Sequence, residues 1–340
     1  MKNKGQRKNS FFVGVDVSKN TLDIAIMNNQ TLLGHTQIQN EPTEIQRFVR
    51  ELKELKNFTF QKCVFGLEFT GIYGNHILGY LTELKANIVQ QSAIHIKNSL
   101  GTLRGKTDKL DAIRIAKYLS KEGDALCLWE PKRKIIQQLA SLSTLRSRLL
   151  TTSLLIKTPL REDSGFVIRE ISELNKSICS ETISALKSAL SKVESQIKTV
   201  FESDSRLNQL MQLITSVPCI GPVTALQIII STNEFKDINS PKKFACYAGI
   251  APFPHTSGTS LNRRSRVSKM ANKKMKALIH VCALSAKRYT PEIITYYKRK
   301  TEIEGKHKML VLNAIRFKLI NRVFACVNNN TPYDSDYVRS

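Results

Sequence analysis

The chain has 340 residues, enough for two or three domains with separate cores, and its 41% hydrophobic content lies far above that of a disordered chain. Fifty-two Lys and Arg against 28 Asp and Glu leave a formal charge of +24, which favours a polyanionic partner. No run is apolar for long enough to span a bilayer, and the basic opening Met1-Lys2-Asn3-Lys4 leads into a short apolar stretch broken by Asp16 and Lys19. The seven cysteines are scattered with no Cys-x-x-Cys pair. These features speak against export, a membrane anchor, a zinc site or a disulfide framework, and predict a reduced, cytoplasmic protein.

Residues 1–125 alternate between strand and helix. Phe11–Val17 and Thr21–Met27 are β-rich runs separated by the turn Ser18-Lys19-Asn20, and Thr31–Ile38 is a third antiparallel strand. Pro42–Leu55 has helical spacing, with Ile45, Phe48, Val49 and Leu52 on one face. A strand over Gln61–Phe69, a helix over Tyr73–Leu84, a short strand at Asn87–Gln91 and a helix over Thr107–Ser120 capped by Thr107 complete the domain. Three antiparallel strands followed by helices and parallel strands is the order of an α/β ribonuclease-H or resolvase-like domain.

Four acids occupy telling places in that order. Asp16 closes Phe11-Phe12-Val13-Gly14-Val15, Glu68 closes Cys63-Val64-Phe65-Gly66-Leu67, and Asp108 and Asp111 share one face of the last helix. Strand-end carboxylates are rigid and project at the sheet edge. Together with two helical carboxylates they form a hard oxygen set suited to two divalent cations, the arrangement that phosphodiester chemistry uses to activate a nucleophile and stabilise a leaving oxygen. Singly, each has a plainer explanation: Asp16 as a turn residue, Asp108 as an anion favoured by a helix N-terminus. An apolar strand ending in Gly-x-Asp also opens actin-like and sugar-kinase ATPases. Those need a glycine two residues beyond the Asp, where this chain has Ser18.

Residues 126–210 contain almost no glycine. One stripe runs through Ile135, Leu139, Leu142 and Leu145, and another through Ile183, Leu186, Leu190, Val193 and Ile197 with heptad-like steps. They predict a long helical hairpin or coiled coil interrupted at Thr158–Gly165, serving as a dimerisation arm or a plain spacer.

Residues 211–327 form a third, mainly helical part. Val217-Pro218-Cys219-Ile220-Gly221-Pro222-Val223-Thr224-Ala225 resembles a helix-hairpin-helix element, whose turn can grip phosphate through backbone N–H groups; a helix connection made only for packing has the same look. The polar loop His255-Thr256-Ser257-Gly258-Thr259-Ser260 precedes a basic run holding Arg263, Arg264, Arg266, Lys269, Lys273 and Lys274. Residues 241–340 carry 20 Lys and Arg against 5 Asp and Glu, so the nucleic-acid surface is expected there, with a solvated basic helix as the alternative. Residues 328–340 read as a flexible tail.

The motifs Gly14-Val15-Asp16-Val17-Ser18-Lys19, Glu68-Phe69-Thr70-Gly71-Ile72-Tyr73 and Lys106-Thr107-Asp108-Lys109-Leu110-Asp111-Ala112 resemble those of the DEDD-type insertion-sequence transposases, which include the pilin-gene DNA invertases. The resemblance continues through Val217–Pro222 and Phe244–Pro252 to Ser257-Gly258 and Val267-Ser268-Lys269. It implies a RuvC-like N-terminal domain, a coiled-coil linker and a C-terminal transposase domain with a serine nucleophile. Recombination would proceed without the usual DDE chemistry, on donor and target double-stranded DNA, and in many members under an element-encoded bridge RNA. By motif, Asp16, Glu68, Asp108 and Asp111 would hold Mg²⁺ (or Mn²⁺), and Ser257 would form the phosphoserine link. A serine needs an activating base or metal; His255, two positions away, is either such a base or a plain loop residue, and Ser260 and Ser265 are rival hydroxyls. A reaction on two duplexes implies a dimer or tetramer. The alternatives are a Holliday-junction-type metal nuclease with Ser257 structural, a site-specific invertase without RNA guidance, and a non-catalytic nucleic-acid-binding protein.

Overall fold

The computed structural model describes residues 9–69, 71–101, 105, 107–257, 261–268 and 270–334, without the side chains of Asp124, Ser164, 254–257 and 261–264. The chain divides into two compact units, Met1–Pro131 and Lys132–Ser340.

In the first unit, β1 (Phe11–Val17), β2 (Thr21–Asn28) and β3 (Thr31–Gln39) are followed by α1 (Pro42–Lys53), β4 (Cys63–Glu68), α2 (Asn75–Glu83), β5 (Asn87–Gln91), α3 (Ala93–Leu100) and α4 (Asp108–Glu122). The five strands form one sheet in the order β3-β2-β1-β4-β5. β1 pairs antiparallel with β2 and parallel with β4, which pairs parallel with β5. This is the ribonuclease-H topology, the RuvC-like fold of the sequence reading.

Side chains alternate across a strand, so β1 feeds two cores. Phe11, Val13, Val15 and Val17 pack with α1 and α2 residues such as Ile45, Phe48, Ile77 and Leu81. Phe12 faces the other way, into a core with Ala112, Ile115, Ala116 and Leu119 of α4. Gly14 shares that second face and stands in register with Gly66 of β4. A Cβ on Gly14 would lie 2.3 Å from the Ala112 carbonyl oxygen and 2.4 Å from the Ala116 nitrogen. A Cβ on Gly66 would meet only side-chain ends, Leu119 Cδ1 at 2.7 Å and Ile115 Cγ2 at 2.9 Å. The two glycines let α4 lie directly on the sheet. Beyond the elements expected from the sequence there is α3, a short helix that Ser92 caps by accepting from His95 N–H.

In the second unit, α5 (Lys134–Glu162) and α6 (Arg169–Glu202) form a helical hairpin. The expected interruption at Thr158–Gly165 is shorter than the sequence suggests, because α5 carries Pro159 in its last turn and continues to Glu162. The hydrogen bond that proline cannot donate is lost at an exposed position in the last turn. The hairpin's base is buried through Ile136, Leu139, Val200 and Phe201, whereas Leu155, Phe166, Ile168 and Ile178 near its far end are exposed.

The remaining core comes from α7 (Ser205–Thr215), α8 (Pro222–Thr232), α9 (Pro241–Tyr247), the ribbon β6 (Pro252–Ser257) and β7 (Leu261–Val267), α10 (Lys273–Tyr289), α11 (Pro291–Lys298) and α12 (Lys308–Asn329). Arg133 ties its helices by donating to Asp204 at 2.7 Å and to Glu234 at 2.7 and 2.9 Å. The Glu234 side chain is fully buried and needs that cation. Among the described residues all seven cysteines are free thiols, with Cys63 buried in the sheet and Cys282 and Cys326 in the helical core. No helix among them is long and apolar enough to cross a membrane.

Two expectations change. His255–Ser257 of the polar loop and residues 261–267, which open the basic run, lie in an antiparallel β-ribbon, with Phe253 opposite Arg266 and Pro252 opposite Val267. Alternation of small polar and basic side chains suits an exposed strand, so the alternative of a basic helix holds only from Lys273 onward. The supposed tail is ordered through 334: α12 runs to Asn329, Tyr333 N–H donates to Ser216 Oγ at 2.8 Å, and Arg322 lies over the Tyr333 ring. Residues 335–340 lie outside the described residues.

Gly14→Ala is expected to destabilise the first unit by about 3 kcal/mol or more, since it meets backbone, and Gly66→Ala by about 1 kcal/mol, since leucine and isoleucine ends can move. Urea unfolding of both variants measures the difference.

Candidate active site

Asp16 has the same strand parity as Gly14, so it emerges on the α4 side of the sheet. The paired step Val15–Leu67 places Glu68 beside it at the end of the neighbouring parallel strand. α4 begins over this edge. Thr107 caps it by accepting from Leu110 N–H at 3.2 Å, and Asp108 and Asp111 occupy its first turn. The helix dipole favours both anions there.

The grouping shows in the behaviour of Asp16. Its carboxyl is pushed up from an ordinary 3.8 to about 6, first by burial and then by the negative charges of Glu68, Asp108, Asp111 and Asp23. All four acids of the sequence reading therefore act on one locus. Asp23, a fifth acid that the reading passes over, stands directly across from Asp16 in the β1–β2 register. It is buried and held by His35 Nε2 at 2.8 Å and Gln37 Nε2 at 2.9 Å, both from β3. Strand alternation was the available signal, because antiparallel partners in register share a face.

An open cleft of about 310 Å³ lies at this edge, lined by Glu68, Asp111, Arg114, Lys97, Leu100 and Gly105 among others. Arg114 Nη1 binds Asp111 Oδ1 at 2.6 Å, and Nη2 donates to the Gly105 carbonyl at 2.8 Å. Asp111 is thus held by an internal cation. Among the described residues no three His, Cys, Asp or Glu side chains meet as a closed metal shell. The donors are nonetheless all carboxylate oxygens, and their mutual repulsion at Asp16 is what a hard divalent cation would relieve. By its chemistry the set fits such an ion.

The other candidates lie in the second unit. Ser257 closes β6 and pairs with Leu261 at the start of β7. The ribbon's base is secured where Asn313 Nδ2 donates to the Ile250 carbonyl at 2.7 Å, and where Asn272 N–H donates to the Tyr247 carbonyl at 2.8 Å. The side chains of His255, Ser257, Arg263 and Arg264 lie outside the described residues, as do Gly258, Ser260 and Lys269 entirely. Arg266, on β7, and Lys273, at the start of α10, are exposed. Lys274 Nζ donates to Ser147 Oγ at 3.0 Å, and burial and Arg146 hold its ammonium below the usual lysine range. In the helix–turn–helix at 216–222, Val217 and Ile220 are buried core residues, so the turn packs the unit as well as exposing Gly221.

The raised Asp16 value has a consequence for stability. The folded chain binds that proton more tightly than the unfolded chain, so stability falls as pH rises from about 4 to about 6. In EDTA, Asp16→Asn is expected to stabilise the first unit at pH 8 by about 1–2 kcal/mol after allowance for solvent screening. The gain should vanish below pH 4, as read by urea unfolding at the two pH values.

Both units of the chain resemble known proteins. Residues 13–162 match the model of a DEDD transposase family of the IS110 type, described as "Transposase". Residues 211–298 match the model described as "Transposase IS116/IS110/IS902 family". The pilin gene-inverting proteins of Moraxella lacunata and Moraxella bovis are each 28% identical over 330 residues, covering 95% of this chain and 97% of theirs. A solved chain of RuvC from T. thermophilus, in complex with Holliday junction substrate, aligns at 12% identity and TM-score 0.28 over 36% of this chain and all of that one. The fold assignment rests instead on the strand order above. With one model on the sheet and its acids and a second on the helical unit, the chain belongs to the IS110 family of DEDD-type insertion-sequence transposases, enzymes that recombine DNA.

Proposed function

We propose that the enzyme cuts and rejoins double-stranded donor and target DNA with a divalent-metal site at Asp16, Glu68, Asp108 and Asp111 and with Ser257 as nucleophile. The observation that carries this reading is the convergence of three acids on Asp16 at one sheet edge. Mg²⁺, or Mn²⁺ in its place, would supply charge stabilisation at the scissile phosphate and a lowered serine pKa. The residues' own tasks are distinct. Asp16 and Glu68 provide rigid oxygens on strand ends, whereas Asp108 and Asp111 provide helical ones that the capped first turn orients. Arg114 neutralises Asp111 until a stronger cation claims it. Ser257 Oγ gives up its proton and attacks phosphorus, one P–O ester bond breaks, and the departing deoxyribose oxygen takes a proton. The phosphoserine then passes the strand to a new deoxyribose hydroxyl and regenerates the serine.

DNA contact is assigned to Arg263, Arg264, Arg266, Lys269, Lys273 and Lys274. Support comes from the C-terminal charge excess and from Lys273 and Lys274 at the start of α10, where the helix dipole disfavours cations unless an anion is bound. Lys274 would have to leave Ser147 to take part. Residues 126–210 are read as an oligomerisation arm: the exposed Leu155, Phe166, Ile168 and Ile178 are the apolar surface a second copy would cover, giving a dimer or tetramer. An element-encoded guide RNA would supply sequence choice, with the protein binding it through backbone charge. The reaction would take place on the cytoplasmic DNA of the host.

A second reading is a site-specific invertase acting without RNA; the pilin gene-inverting relatives that match almost end to end favour inversion. One experiment addresses both. Labelled donor and target DNA, Mg²⁺ and flanking-region RNA are incubated with the intact protein, Ser257→Ala and Asp16→Ala, and denaturing gels are searched for a covalent protein–DNA adduct. The expected result is an adduct that requires Mg²⁺ and RNA and is absent in both variants. An adduct formed equally well without RNA selects the invertase. Cutting that survives Ser257→Ala with no adduct rejects the serine and leaves a metal nuclease.

A further inference from the structure

We infer that Lys97 is the cation that seats a phosphate of the reacting strand in the acidic cleft; this rests on the reading of that cleft as the metal site. The cleft presents an electrostatic difficulty. Glu68 and Asp111 line it, and Asp16 and Asp108 act on the same locus, so an approaching phosphodiester meets concentrated negative charge. Two cations are on the described lining, Arg114 and Lys97.

Arg114 is committed, with Nη1 on Asp111 and Nη2 on the Gly105 carbonyl. Lys97 is not: among the described residues its ammonium makes no hydrogen bond or ion pair. It projects from α3, one turn along from the helix's capped start, and the adjacent Ile96 is buried against the α4 core. That anchor fixes the stem's origin, while the four-carbon chain leaves the ammonium mobile. A flexible point charge with three donors suits a non-bridging phosphate oxygen whose position shifts as the strand is exchanged. Overall affinity would be carried by the basic C-terminal unit, leaving Lys97 to govern where the strand lies relative to the acids.

The test uses the full-length protein and an element-end duplex that the intact protein cuts, prepared with single methylphosphonates that neutralise one phosphate at a time around the cut. Lys97→Ala is expected to lower the cutting rate at subsaturating DNA about 10- to 100-fold, the size of one charge-assisted hydrogen bond. Lys97→Arg should regain most of the rate. One methylphosphonate position should slow the intact protein by a similar factor and leave Lys97→Ala unaffected. Thermal unfolding of Lys97→Ala should match the parent, because the residue is exposed. Cutting by Lys97→Ala at the parental rate overturns the inference. So does a slowed Lys97→Ala in which every methylphosphonate retains its effect, since that pattern marks a purely structural role. Asp16→Asn run beside it separates the two levels: if Asp16→Asn still cuts, the metal-site reading itself fails, whereas loss of cutting there with normal Lys97→Ala rejects Lys97 alone.

Discussion

The direct seating of α4 on the paired glycines Gly14 and Gly66 is the constraint on which the rest of the first unit depends. Helices normally rest on a sheet through a layer of side chains, and here the layer is missing at two adjacent positions. The Ala112 carbonyl and Ala116 amide therefore come within side-chain reach of the β1 backbone. Small residues on the helix complete the arrangement, with Ala112 and Ala116 fully buried. Because Asp16 lies two residues beyond Gly14 on the same face, the depth of this contact sets how close the first turn of α4 comes to the strand-end carboxylates. Packing and chemistry share one coordinate, and a methyl group beneath the helix would move the acids apart.

The acids also stand out against the charge of the whole. A chain with a formal +24 gathers acidic side chains at one sheet edge, where burial first and neighbouring negative charge second let Asp16 retain its proton to about pH 6. Such a cluster lowers stability in isolation, and proteins retain that kind of arrangement where a ligand offsets it. The second unit treats its buried acid oppositely, surrounding Glu234 with Arg133 and Arg206. The contrast between a carboxylate locked by two arginines and an aspartate that holds its proton above the ordinary carboxylate range separates scaffold from site.

Much of the first unit was legible because its central strands are short apolar runs bounded by turns, buried on both faces, and its acids fall at or near element ends. Asp16 and Glu68 could be placed at one edge from strand order alone. What escaped was information held in pairing rather than in pattern. Asp23 looks like a solitary polar residue until its register with Asp16 and its bonds to His35 and Gln37 are known. α3 buries only Ile96, too little for a helical stripe to show in eight residues. The β6–β7 ribbon reads as loop because few of its side chains are apolar, and its strands are defined by each other. Tyr333 looks like tail because its hydrogen bond reaches Ser216, more than a hundred residues earlier. In each case the deciding partner lies beyond any local window.

The distribution of thiols gives the molecule an internal clock. Burial raises the Cys63 thiol far above its usual range, and Cys282 and Cys326 are also raised, so none of the three reacts readily while its core is closed. Cys127, by contrast, is exposed. Alkylation of Cys63 therefore times the opening of the sheet unit, and alkylation of Cys282 or Cys326 times the opening of the helical one. Peptide mapping of a single labelling reaction would resolve the two lifetimes without any introduced probe, which is a property of where evolution left sulfur in this chain.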